Sequence, residues 1–236
     1  MKKILKSWQC FNIHLESEEI TMEAQTTNIL PSDQLSNEES NYFYINNANE
    51  LDEFRFTLHN YLVEGLPNHN HELVILCIGT DRATGDSLGP LIGYKLEHSI
   101  SYPNVHLYGT LTSPVHARNL KMTTALIKKI HPNALVIAID ACLGSSSKIG
   151  YLSLGYGPLQ PGAGVNKTLP AVGNLFIKGI VNVNGDENLT TLQNTRLSVV
   201  MQMADIIAET FKLCLSNYYN FHFGNTISNT VAATYV

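Results

Sequence analysis

The chain reads as an α/β protein, a three-layer α/β/α sandwich around a mostly parallel sheet. Three observations predict this. Two runs, residues 73–78 and 135–139, are apolar throughout, as strands must be when helices cover both faces of a sheet. Other segments repeat their apolar residues every three or four positions, which is the helical period. The two patterns alternate along the chain, the order expected of right-handed crossovers between parallel strands.

Taken in order, residues 1–45 are polar and acidic, with Glu16, Glu18, Glu19, Glu23, Asp33, Glu38 and Glu39 concentrating negative charge. Too few apolar residues are present there to offset ordering entropy, so a disordered N-terminal segment is expected. A first helix is predicted over 49–63, because Leu51, Phe54, Leu58, Tyr61 and Leu62 fall on one face. The first buried strand, 73–78, ends at Gly79. Helix 88–98, strand 105–111 and helix 119–131 follow; the last carries Leu120, Thr124, Ile127 and Ile130 on one side and stops at Pro132. Strand 135–139 is the second fully apolar run. A short strand over 152–154, a strand over 175–183 and a long amphipathic helix over 189–215 complete a single domain spanning 46–216. Residues 217–236, rich in Asn, Thr and Tyr, read as a tail without pattern.

Composition narrows the function. The 236 residues are 44% hydrophobic with a formal net charge of −5, so nothing basic supports a nucleic-acid partner. The four cysteines, Cys10, Cys77, Cys142 and Cys214, form no CxxC pair and suit neither a disulfide framework nor a zinc site. The basic start, Met1-Lys2-Lys3, is followed by no apolar stretch of signal-peptide type. No run approaches the ~18 apolar residues of a spanning helix, so no membrane partner is expected and a reducing, cytoplasmic location is. A homo-oligomer is compatible with all of this.

Two segments carry candidate chemistry: Gly79-Thr80-Asp81-Arg82-Ala83-Thr84-Gly85-Asp86-Ser87-Leu88-Gly89-Pro90, and Ile137-Ala138-Ile139-Asp140-Ala141-Cys142. In open α/β sheets ligands bind outside the carboxyl ends of the strands. Asp86 and Asp140 both follow buried strands, so neighbouring strands would bring their carboxylates into one crevice. Like charges oppose joint ionisation, which gives one acid and one base at neutral pH. Such a pair can activate water toward an amide or bind a divalent metal. The plainer alternatives are a helix N-cap for Asp86 and a turn role for Asp140. The glycines around Asp86 match neither GxxxxGK[ST] nor GxGxxG, so no nucleotide or other cofactor is implied. Cys142 reads as a buried thiol rather than a nucleophile, and His116, just after a strand, as either a surface residue or a member of the same crevice. The glycine-rich stretch 155–166 is long enough for a functional rim.

At these segments the chain resembles the YyaC-type sporulation proteins, relatives of the germination protease of spore-forming bacteria. Gly85-Asp86-Ser87-Leu88-Gly89-Pro90 carries the first likeness, and Ile137-Ala138-Ile139-Asp140-Ala141 the second. Pro161-Gly162-Ala163-Gly164-Val165-Asn166 carries the third, although a glycine precedes the asparagine in the protease. The resemblance covers roughly residues 72–215. It implies a phosphorylase/hydrolase-like fold, shared with hydrogenase-maturation endopeptidases, and a peptidase in which Asp86 and Asp140 are the catalytic pair. One would activate water and the other would protonate the leaving amine. His116, Gly162, Gly164 and Asn166 are then the candidate substrate-binding residues. The implied partner is a protein or peptide substrate, small spore proteins among them, in the cytoplasm of the sporulating cell or spore. The alternatives are a non-catalytic binding protein of the same fold and a metal-dependent amidohydrolase.

Overall fold

The computed structural model describes residues 40–68, 70–162 and 169–231, with side chains through residue 220. Six strands form one sheet: β1 (Ser40–Tyr44), β2 (Leu73–Cys77), β3 (Val105–Tyr108), β4 (Leu135–Gly144), β5 (Tyr151–Tyr156) and β6 (Leu175–Val183). Their spatial order is β1-β5-β6-β4-β2-β3. Pairs β2/β3, β2/β4 and β4/β6 are parallel, while β5 runs against both β6 and β1. Helices α1 (Ala48–Gly65), α2 (Leu88–Glu97), α3 (Leu120–Ile130), α4 (Asn188–Gln193) and α5 (Leu197–Val231) complete the fold.

Alternation along the strands builds two cores, one per face. Leu73, Ile75, Cys77, Ile137 and Ile139 point one way, into a cluster with Phe54, Leu58 and Leu62 of α1, Leu88, Ile92 and Leu96 of α2, and Val200, Ile207 and Phe211 of α5. Val74, Leu76, Ile78 and Ala138 point the other way and meet Leu120 and Ile127 of α3. Side chains on a strand alternate between faces, so an unbroken apolar run feeds both layers at once. This is the predicted three-layer α/β/α sandwich with a mostly parallel sheet.

The connections out of β2 place the crevice. α2 leads to β3 along one face of the sheet, and α3 leads back past β2 to β4 along the other. The strand order therefore reverses between β2 and β4, which makes the carboxyl ends of these two strands a topological switch point.

Several boundaries differ from expectation. Residues 40–44, expected within the disordered segment, form β1, because Phe43 is buried among core side chains and the strand pairs with β5 from Ser40↔Gly155 to Tyr44↔Tyr151. Ile45, in the same segment, is buried as well, and residues 1–39 lie outside the described residues. The helix expected over 189–215 is two helices, interrupted at Asn194 to Arg196. There the Thr195 hydroxyl donates to the Thr191 carbonyl and accepts from the Asn182 amide, a local alternative to continued helix. The expected tail is helical as far as Val231. Its first residues are held by the buried Tyr218 hydroxyl, which donates to the Leu66 carbonyl at 2.7 Å, and by Tyr219 stacked on Tyr102. On α3, Ile130 is exposed rather than buried. Among the described residues no helix is long and apolar enough to cross a membrane.

Candidate active site

Asp86 reaches the switch point through a folded-back loop. After β2, the Ile78 N–H donates to the Ile139 carbonyl and the Gly79 N–H to the Val115 carbonyl, so the chain is clamped between its two neighbours. The Thr80 N–H then donates to the Asp86 carbonyl at 2.9 Å, closing the loop on itself. Gly79 has φ +141°, and a Cβ there would collide with the Asp86 carbonyl oxygen. At Gly89, a Cβ would collide with the backbone of Ile78, so α2 can start directly behind the end of β2 only with glycine in that position. The motif glycines therefore serve close backbone approach rather than phosphate binding. Asp86 lies in a single 3-10 turn, Gly85–Ser87, and its side chain caps neither that turn nor α2. The N-cap alternative is thereby set aside.

Asp140 lies inside β4, which runs five residues further than the apolar pattern marks. It faces the α3 side of the sheet, like Ala138 two residues earlier, and pairs in register with Lys178 of β6. Its Oδ1 accepts the N–H of Ala141 at 2.9 Å.

Both aspartates line one cavity of about 160 Å³, together with Gly79, Thr80, Arg82, His116, Cys142, Pro161 and Gly162. Leu189, Leu192 and Gln193 of the short helix α4 form another wall. Of the candidate residues read from sequence, Asp86, Asp140, His116 and Gly162 thus share one site. Gly164 and Asn166 lie outside the described residues. Among the described residues on either side of them, Leu159 and Val172 form a bridge, and Pro161 and Gly162 line the cavity. His116 is held by local contacts: its own N–H donates to the Asn119 side chain, its Nδ1 accepts the Arg118 N–H at 3.3 Å, and its carbonyl accepts the N–H groups of Asn119 and Leu120.

The two carboxyls differ in environment. Burial raises the pKa of half-buried Asp86 to about 6, against a partial opposing effect of the Thr80 N–H. Asp140, only 6% exposed, is held well above the ordinary carboxylate range, first by burial and then by the charge of Asp86. The Ala141 N–H and the Lys178 ammonium oppose that rise. Burial and the Asp86 charge both favour the protonated form of Asp140, so the pair resists joint ionisation. Burial and Asp140 push the Cys142 thiol up to about 12, so it offers no thiolate nucleophile at neutral pH.

Sequence reading passed over Lys178. Its signal was a single charge within the apolar run of residues 175–181, and such a charge is costly unless the fold supplies a partner. It also passed over the wall supplied by α4, which has no motif to mark it.

The fold and this cavity give context to three likenesses. The chain is 55% identical over 141 residues to Uncharacterized protein YyaC of Bacillus subtilis (strain 168), a match covering 60% of this chain and 68% of that protein. Among solved structures, a [NiFe] hydrogenase maturation protease HycI from Thermococcus kodakarensis KOD1 superposes with a TM-score of 0.45 and 16% identity, over 68% of this chain and 99% of that one. The resemblance to YyaC-type proteins is thus borne out. A family model also matches residues 42–210, which include both aspartate motifs, and the chain belongs to that family, described as Protein of unknown function (DUF1256).

Proposed function

We propose that the protein is a peptidase that uses Asp86 and Asp140 to hydrolyse a peptide bond with water. One observation carries this reading: two carboxyls with different proton affinities share a cavity at the switch point of the sheet. Asp86, ionised at neutral pH, takes a proton from water as its oxygen attacks the scissile carbonyl. Asp140, still protonated, gives its proton to the leaving amine nitrogen. The water is thus divided between the new carboxylic acid and the new amine, and one proton passing from Asp86 to Asp140 resets the pair. Lys178 favours the ionised Asp140 left after proton donation, while His116, Arg82, Pro161 and Gly162, which line the cavity, would contact the substrate backbone. The family resemblance points to small spore proteins as substrate and to sporulating cells as the setting. The test is incubation of the full chain with small spore proteins, with fragments followed by mass spectrometry. The wild type should release discrete peptides. Asp86→Asn and Asp140→Asn should each lose about 10²–10⁴-fold in rate. Absence of cleavage by the wild type, or full activity in Asp140→Asn, would overturn the reading.

A further inference from the structure

A second group of chemistry-bearing side chains lies at the opposite, amino end of the parallel strands. Glu72 immediately precedes β2, His106 lies in β3, and His131 caps the end of α3. They are 34 and 59 residues apart in sequence, yet both imidazoles converge on the same carboxylate oxygen. His106 Nε2 is 2.9 Å, and His131 Nδ1 3.0 Å, from Glu72 Oε1. The three ligand atoms all lie within 4.8 Å of one another.

The geometry points to a binding site for a divalent transition ion of the zinc class, held by Glu72, His106 and His131. Two imidazoles and one carboxylate are a donor set that zinc accepts, with metal–ligand distances of about 2.0–2.2 Å and a fourth position for water. Tetrahedral ligands at that radius stand about 3.3 Å apart, so the two imidazole–carboxylate separations of 2.9 and 3.0 Å need open by only a few tenths of an ångström. Side chains able to give way are present, since Glu72 and His106 are 31% and 30% exposed, while His131 is 6% exposed. The exposed side admits the ion and leaves room for water. Behind it the site is braced. Tyr108 Oη lies 3.0 Å from His131 Nε2, so it can accept that ring N–H and leave Nδ1 free to ligate, the kind of outer contact that orients metal-binding histidines. Backbone contacts fix the rest: the Leu135 N–H donates to the Glu72 carbonyl and the Leu73 N–H to the Asn104 carbonyl. Without metal the same groups form a hydrogen-bonded triad, so the fold presents the ligands before any ion arrives.

The ion would tie the start of β2, the strand β3 and the end of α3 into one point. Its role is structural, because the aspartate cavity lies at the other end of these strands.

The test uses the full chain freed of metal by a chelator and titrated with Co²⁺ or Zn²⁺. The wild type should bind one Co²⁺ per chain with visible absorption bands of tetrahedral coordination, and Zn²⁺ should displace it. Zn²⁺ should also raise Tm by a few degrees. Glu72→Gln and His106→Ala, both at partly exposed positions, should weaken binding by about 100-fold or more and keep the metal-free Tm near that of the wild type. Asp140→Asn should leave the bands unchanged. Absence of Co²⁺ bands in the wild type would overturn the site. So would bands that survive both Glu72→Gln and His106→Ala, or bands lost in Asp140→Asn alone.

Discussion

Asp86, in the turn that follows β2, and Asp140, inside β4, show how burial sets protonation. Both carboxyls are destabilised as anions, Asp86 by burial and Asp140 by burial and by the charge of Asp86. The rate of the proposed hydrolysis should therefore follow a bell in pH, its acid limb near pH 6 where Asp86 loses its proton and its alkaline limb where Asp140 does. Stability should run the opposite way from that of a protein with salt-bridged aspartates. In the unfolded chain these groups titrate at about 3.9. Their folded values are higher, so the native state holds more protons above that pH. The stability they contribute is complete below about pH 4 and is lost as pH rises through 6 and beyond. Chemical denaturation of the wild type between pH 4 and 8 should show this decline, and Asp86→Asn should flatten it while raising stability at pH 7 by ~1–3 kcal/mol. Lys178→Met removes a cation beside Asp140, so the alkaline limb of the rate profile should move to higher pH. An unchanged limb would remove Lys178 from the account.

At the scale of elements, the parts legible in the sequence were those in which one pattern had one physical cause. Residues 73–78 and 135–139 are apolar on every position because both faces are covered, and both became central strands. Helix α1 followed from the spacing of Phe54, Leu58 and Leu62, all fully buried. The unread parts depend on distant contacts. β1 is a strand because β5 pairs with it, and a five-residue polar-aromatic stretch holds no local sign of that. The break between α4 and α5 rests on Asn182, which belongs to β6. The end of α5 read as a tail because Tyr218 and Tyr219 have no periodic apolar neighbours, yet each finds a partner more than a hundred residues away. Tyr218→Phe should leave the buried Leu66 carbonyl without its donor and cost about 1–3 kcal/mol in a denaturant melt. Gly89→Ala should cost more than an ordinary helical Gly→Ala, which is usually favourable, because its Cβ would meet backbone at Ile78 rather than a movable side chain. An unchanged Tm in Gly89→Ala would refute the close packing of α2 behind β2.

For the whole molecule, one topological feature organises the site. Reversal of strand order between β2 and β4 opens a crevice at their carboxyl ends, and the two aspartate motifs, separated by more than fifty residues, deliver their carboxyls to it. The motifs were visible as residues, and their convergence followed once the two strands were taken as neighbours. Lys178 and the α4 wall came from elements without motifs, which is why they were not. The central claim is that Asp86 and Asp140 share a single proton at neutral pH. It is tested most directly by NMR titration of the aspartate side-chain carboxyl carbons, assigned with Asp86→Asn and Asp140→Asn. The predicted result is one carboxyl that titrates near pH 6 and one that remains protonated at pH 7, the latter shifting to lower pH when Asp86→Asn removes the neighbouring charge. Two carboxyls that both ionise below pH 5, independently of each other, would contradict it.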